Sequence, residues 1–312
     1  MKSIKTAKEF SDQKIELLRK ELRGVVKGEG AAIITCGSYA RREASAESDL
    51  DYFILTKSNL KENDLSWVDA THSCIKNIVP NQPAENGAFA NAVSREEILT
   101  NIGGNDDSNK NITRRMLLLL EGEWLFQSEE LKTLRKEILE KYITKSMTDH
   151  QLALFLLNDV IRYYRTMAVD YEFKTAGSEP PKPWAVRNIK LIFSRKLLYA
   201  SGLFSVAVTA DRSRDKKIEL LEQLFNLTAI DRLVHICGNS QMNQVLKAYN
   251  YFLEKLEDNT LRTHLNSLSK EQRNDPVFRE LKNEGHHFNH LLMQLFENTF
   301  GHTHPIRRAI VF

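Results

Sequence analysis

Gly37-Ser38-Tyr39-Ala40-Arg41-Arg42-Glu43, followed by Ser48-Asp49-Leu50-Asp51-Tyr52-Phe53-Ile54-Leu55, combines a small-residue turn with two acids inside an apolar run. Residues i and i+2 of a strand point to the same face. The spacing therefore sets Asp49 and Asp51 side by side at an edge otherwise built for burial. Adjacent like charges cost energy unless something positive lies between them. Hard oxygen donors without His or Cys among them favour magnesium, with manganese as the alternative.

The residues before the acids suggest what such a cation would serve. Ala31 to Cys36 (AAIITC) is short, apolar and ends at a glycine, the pattern of a buried strand. Tyr39 to Glu43 then reads as a helix start. A strand, a glycine and a helix N-terminus make a phosphate cradle. In it Gly37 lets the backbone approach, Ser38 offers a hydroxyl and amide groups face the anion. Arg41 and Arg42 are candidates for charge-assisted contacts to the same phosphates.

Gly-Ser, ten intervening residues and then Asp-x-Asp before an apolar strand resembles the polymerase-beta-type nucleotidyltransferase superfamily. The fuller stretch GSYARREASAESDLDYFIL is similar to its bacterial branch, which includes the uridylyltransferase of nitrogen regulation. Asn111 to Glu121 (NITRRMLLLLE) resembles that branch too, as does Lys182 to Lys190 (KPWAVRNIK) more loosely. The resemblance implies Asp49 and Asp51 as catalytic metal ligands, with Gly37 and Ser38 on the β- and γ-phosphates. It implies a nucleoside triphosphate substrate, ATP or UTP, and an acceptor that is a protein, an RNA or a small molecule. The superfamily usually carries a third carboxylate on a later strand. Here the expected strand, Ala88 to Val93, has Asn91 instead, and Glu85, Asp106 and Asp107 lie in loop-like sequence nearby. The catalytic base is therefore unassigned. At 312 residues the chain is too short for the phosphohydrolase and regulatory domains of the nitrogen-regulation enzyme.

Composition suits a soluble protein with a substantial core: 42% hydrophobic, 27% charged and a net charge of +3. That charge is too small to indicate whole-surface attraction to nucleic acid. Cys36, Cys74 and Cys237 are odd in number and far apart, which fits a reducing cytosol and no disulfide framework. No run approaches a membrane span and MKSIKTAKEF lacks a signal-peptide apolar region, so a cytoplasmic location without membrane contact is expected.

Residues 6–28 have helical periodicity, with Phe10, Ile15, Leu17, Leu18, Leu22 and Val25 at three- and four-residue steps. Strands are expected at 31–36, 50–56 and 88–94, a helix at 64–79 and a loop at 101–111. From about Ile112 helical patterns dominate: 112–122, 128–144, 148–173, 183–201, 215–226, 228–236, 240–256 and 279–299. Ser178 to Pro183 is a stiff connector, and Pro183 suits a helix start. Ile306 to Phe312 reads as a strand or a tail. The expected fold is an α+β nucleotidyltransferase domain, a small mixed sheet with helices, over residues 1–125. An all-α domain follows over 126–312.

Several polar clusters carry both a functional and a structural reading. Asn158, Arg162 and Arg165 share one helix face, and Arg187, Lys190 and Ser194 make a second stripe. Either stripe is a candidate for contact with triphosphate or acceptor, or a solvated face with arginines paired to Asp159, Asp170 or Glu172. Lys110 and Arg114, with Arg115, are candidates for substrate contact or simply a charged helix start. His286 and His290 have the i, i+4 spacing of zinc ligands, but no third ligand follows at standard spacing and zinc is the weaker reading. Trp184 and Tyr163-Tyr164 are base-stacking candidates or core aromatics. The primary expectation is magnesium-dependent nucleotidyl transfer. The alternatives are a silent nucleotide-binding regulatory module and a toxin or defence nucleotidyltransferase acting on tRNA or making a nucleotide signal.

Overall fold

The computed structural model describes residues 1–27, 30–57, 65–81, 92–100, 102–177 and 183–311. The chain runs α1 (Lys2–Val25), β1 (Ala32–Thr35), α2 (Gly37–Ala40), β2 (Tyr52–Thr56), α3 (Leu65–Ile78), β3 (Val93–Ser94), α4 (Arg95–Leu99), α5 (Asn109–Leu120), β4 (Glu123–Phe126) and α6 (Ser128–Tyr142). It continues with α7 (Leu154–Glu172), α8 (Trp184–Lys190), α9 (Lys196–Ala207), α10 (Arg214–Phe225), α11 (Ala229–Cys237), α12 (Asn239–Glu257), α13 (Asn259–Ser267), α14 (Pro276–Thr299) and α15 (Pro305–Ala309). Two compact units result. One comprises Thr6–Met147 and Arg214–Thr228, the other Met1–Lys5, Thr148–Ser213 and Ala229–Phe312.

The first unit is built on a mixed four-stranded sheet in the order β3-β2-β1-β4. β1 is antiparallel to β2 and to β4, while β2 is parallel to β3. Every residue of β1 and β2 is buried, as their unbroken apolar sequence requires of strands covered on both faces. Ile33, Tyr52, Ile54 and Leu125 join Ile15, Leu18 and Leu22 of α1 and Trp67, Val68 and Ile75 of α3 in one core. The helical spacing of the α1 residues puts them on a single stripe, so α1 can lie along the sheet. α6 packs on β1 and β4, and α10 packs on α6.

The second unit is helical. α9 is buried nearly all round, the pattern of a central helix. Phe204 on α9 meets Phe296 and Phe300 edge-on at 5.8 and 5.1 Å. Phe193 stacks on Phe252 at 4.7 Å and approaches Phe288 at 5.0 Å. The fully buried Arg232 donates to Ser201 Oγ at 2.9 Å, which keeps its charge hydrogen-bonded within the core. No helix of the described residues is long and apolar enough to cross a membrane.

An α+β unit with a small mixed sheet and helices, together with a helical C-terminal region, is thus the observed class. Local departures have local causes. β4 was not expected, because four residues carry no period and only pairing with β1 makes them a strand. The loop at 101–111 ends early, at Ser108, whose side chain caps α5 by accepting from Asn111 N at 3.2 Å. The helix expected from 148 begins at Leu154, and α13 is additional. The C-terminal strand or tail is instead the short helix α15, opened by Pro305 and capped by His304. Of the strand expected at 88–94, Val93–Ser94 forms β3, while Ala88 to Asn91 and Glu85 lie outside the described residues. So does Ser178 to Lys182 of the connector.

Leu22 is fully buried in the α1–sheet core, so Leu22→Ala should lower the unfolding free energy by about 3 kcal/mol. Urea titration of wild type and variant checks this.

Candidate active site

Asp51 immediately precedes β2, and its carbonyl continues the ladder. It accepts from Cys36 N at 2.9 Å and from Thr35 Oγ1 at 2.8 Å. The backbone at 49–51 thus adjoins the strand rather than lying inside it. Leu50 is fully buried, Asp51 is intermediate and Asp49 is exposed. That alternation turns both acids away from the core that takes Leu50.

Gly37 provides the seat for Asp51. Its φ is +73°, and a Cβ there would meet Asp51 Oδ2 at 2.6 Å. A side chain would be strained by the backbone angle and would collide with the carboxylate. Asp49 lies near the same turn: burial pushes the Tyr39 phenol up to about 12, and the Asp49 charge adds to it. Burial likewise pushes the Cys36 thiol well up, with the charges of Glu121 and Asp51 reinforcing it. The charges of Arg135 and Arg41 act the other way on that thiol, so acids and bases both surround the glycine turn.

The Gly37 amide does not face open space. It donates to Glu121 Oε1 at 3.0 Å, while Arg41 Nη1 donates to Glu121 Oε2 at 2.5 Å. Both side chains are buried, and Arg41 Nε also donates to Glu43 at 3.0 Å. The expectation of free amides at Gly37 is corrected here, because a carboxylate already satisfies that donor. The Ser38 backbone carbonyl accepts from Glu43 N at 2.8 Å. The Ser38 hydroxyl is half-buried and has no partner among the described residues.

Glu121 is itself held from behind. Arg135 Nε donates to Leu118 O at 2.9 Å, and its Nη2 donates to Gly122 O, the carbonyls either side of the Glu121 turn. Its Nη1 donates to Asn226 Oδ1 at 2.9 Å, just beyond α10. Burial brings the Arg135 guanidinium down to about 10.

Arg42 closes the turn. It has φ +62° at a position where glycine is usual. Arg42 N donates to Tyr39 O at 3.0 Å and Glu43 N to Ser38 O at 2.8 Å, a Schellman pair ending α2. Its guanidinium bonds Asp12 Oδ1 at 2.6 Å, Glu123 Oε2 at 2.7 Å and the carbonyls of Tyr39 and Ala40. Both arginines expected at phosphate thus carry ion pairs inside the unit.

The remaining candidates divide between the units. Lys110 is exposed on α5, and Arg114 is buried with its Nη1 on Glu97 Oε1 at 2.5 Å. Asp107 accepts from Arg115 Nη2 at 2.6 Å and from Gly103 N at 2.9 Å, so this carboxylate is committed, whereas Asp106 is exposed. In the second unit Arg162 pairs with Asp159 at 3.0 Å, Asp170 with Lys174 at 2.5 Å, and Glu172 with Lys270. Arg187 and Lys190 are half-buried on α8. Trp184 packs on Phe278 at 4.6 Å, and Tyr164 stacks on Tyr199 at 4.7 Å. His286, His287 and His290 are exposed on α14. Among the described residues no group of three or more His, Cys, Asp or Glu could hold a metal ion.

Sequence reading named Glu121 only as part of a family-like stretch. A glutamate directly after four leucines was the available signal, since a charge ending an apolar helix needs a partner.

Residues 15–146 match the family model described as a nucleotidyltransferase domain. The match supports the polymerase-beta-type nucleotidyltransferase superfamily for this part of the chain. It spans nearly the same residues as the continuous part of the first unit. No curated protein matches the chain.

Glu121→Gln would leave the buried Arg41 without its main counter-charge and remove the acceptor charge at Gly37. It should cost about 3 kcal/mol of folding free energy, the low end for breaking a buried pair because Glu43 remains. Chemical denaturation measures it, and a loss under half that size would show the clamp to be marginal.

Proposed function

We propose that the protein transfers a nucleoside monophosphate group from a nucleoside triphosphate, ATP or UTP, to an acceptor hydroxyl and releases pyrophosphate. The observation that carries this reading is the Asp51 carboxylate packed against Gly37, with Asp49 two residues away and, like it, outside the core that takes Leu50. The donor types fit a hard divalent cation: two carboxylates and, in the same turn sequence, a serine hydroxyl. When bound by Asp49 and Asp51, magnesium or manganese would neutralise phosphate charge and acidify the attacking hydroxyl.

The residues' own contributions follow from their surroundings. Asp51 is held by its carbonyl bonds to Cys36 and Thr35 and by the glycine seat, so its carboxylate needs little reorganisation. The Ser38 hydroxyl donates to a terminal phosphate oxygen. The acceptor oxygen attacks the α-phosphorus in line, the bond to the bridging oxygen breaks, that oxygen leaves with pyrophosphate, and the acceptor proton passes to solvent water. Three free cysteines support a reducing cytoplasmic setting.

Asp49→Asn and Asp51→Asn should each reduce labelled product from an α-labelled nucleoside triphosphate, magnesium and cell lysate by at least about a hundredfold. Their circular dichroism melts should stay close to wild type. Either variant keeping most of its transfer would sink the assignment. Nucleotide binding by calorimetry without any transfer would favour the regulatory-module reading, and the chemical class of the labelled product would name the acceptor.

Gly37→Ala adds a Cβ at +73° into Asp51 Oδ2. It should destabilise by about 1–3 kcal/mol and, at a temperature where the variant is fully folded, lower transfer at least tenfold by displacing the carboxylate. Undiminished transfer in that variant would separate Asp51 from its glycine seat.

A further inference from the structure

In the second unit α15 is too short to persist by itself, so its contacts decide whether it forms. Its N-cap is His304, whose ring Nδ1 accepts from Ile306 N at 3.2 Å. At most helix starts an Asp, Asn, Ser or Thr oxygen fills that role. His304 N donates to Gly301 O at 3.0 Å, and the imidazole stands 4.9 Å from the Phe300 ring. Arg307, on α15, donates to the carbonyls of Phe300 and Gly301 and lies 5.4 Å over the Phe296 ring. Between these two anchors Ile306 is fully buried.

An imidazole nitrogen accepts a hydrogen bond only while it carries no proton. A hydroxyl or amide cap is indifferent to neutral or mildly acidic pH, whereas this one inverts with a single proton. Protonated Nδ1 would face the Ile306 N–H donor against donor. The surroundings act on the ring in both directions. Burial pulls the imidazole below its ordinary value, the Asp211 carboxylate in the turn after α9 pushes it up, and the Arg307 guanidinium pulls it down. Asp211 is shared with His150, in the segment before α7, whose Nδ1 lies 2.9 Å from Asp211 Oδ1. His302 and Arg308, the titratable neighbours in sequence, are exposed. The docked state thus favours the neutral ring. The stability this gives α15 is complete above the ordinary imidazole value and is lost as pH falls from there through the lower docked value.

We propose that His304 is a proton-operated clasp, which holds α15 on the helical unit while its ring is neutral and releases it when Nδ1 is protonated. Release exposes Ile306 and lifts Arg307 from the Phe296 ring and the carbonyls after α14. The clasp lies wholly within the helical unit and does not depend on the transfer reaction proposed above.

The test is amide hydrogen exchange of the full chain across a pH series from about 7.5 to about 5, with rates divided by the intrinsic rate at each pH. Protection of the amides of Arg307, Ile310 and Val311, which close α15, should fall at least about fivefold in wild type over that range. Protection within α12 should hold, showing that the unit itself stays folded. In His304→Asn the side-chain oxygen caps at either pH, so protection of α15 should change less than about twofold. Asp211→Asn removes the charge that favours protonation and should move the midpoint of release to lower pH. Unchanged protection in wild type at the acid end, or an equal loss in His304→Asn, overturns the proposal. Should His304→Asn fail to seat α15 at neutral pH, the Asp211→Asn comparison decides, and a midpoint that does not move refutes the clasp.

Discussion

The Glu121 carboxylate, buried between the Gly37 amide and the Arg41 guanidinium, is the contact on which the turn at residues 37–43 rests. A buried carboxylate is costly unless hydrogen-bonded and charge-paired. Its two oxygens meet both demands with groups from the same turn, so desolvation of the acid and placement of the turn are one event. Removing either partner weakens the other's pairing, with Glu43 left for Arg41 and the Gly37 amide left for Glu121. Arg135 extends this inward by tying the carbonyls of Leu118 and Gly122, while Asn226 braces Arg135. A residue following α10, more than a hundred positions after Glu121 in the chain, therefore supports a turn near the N-terminus.

With the turn fixed, Asp51 has one place to go. Gly37 at positive φ leaves a hollow that the carboxylate fills, and the ladder bond from Cys36 sets its register. Arg42 accepts a left-handed backbone and recovers the cost through ion pairs to Asp12 and Glu123. The strain lies beside the candidate active site, where a positioned turn is worth more than a relaxed one.

The periodicity of α1, the apolar runs of β1 and β2, the Gly-Ser turn and the Asp-x-Asp spacing were legible in the sequence because each is a local pattern read over a few residues. The sequence by itself thus determined the α+β class, the helical second half and the two aspartates as the candidate centre. Only the tertiary structure decided that Gly37 serves Asp51, that its amide belongs to Glu121, and that Arg41 and Arg42 pair within the fold. It also decided that four residues at 123–126 close the sheet. Apart from the glycine seat and the Arg41–Glu43 and Arg42–Asp12 pairs, these are contacts between residues eighty or more positions apart. Even that seat depends on strand pairing, and no local periodicity encodes which distant charge will arrive to satisfy a buried donor.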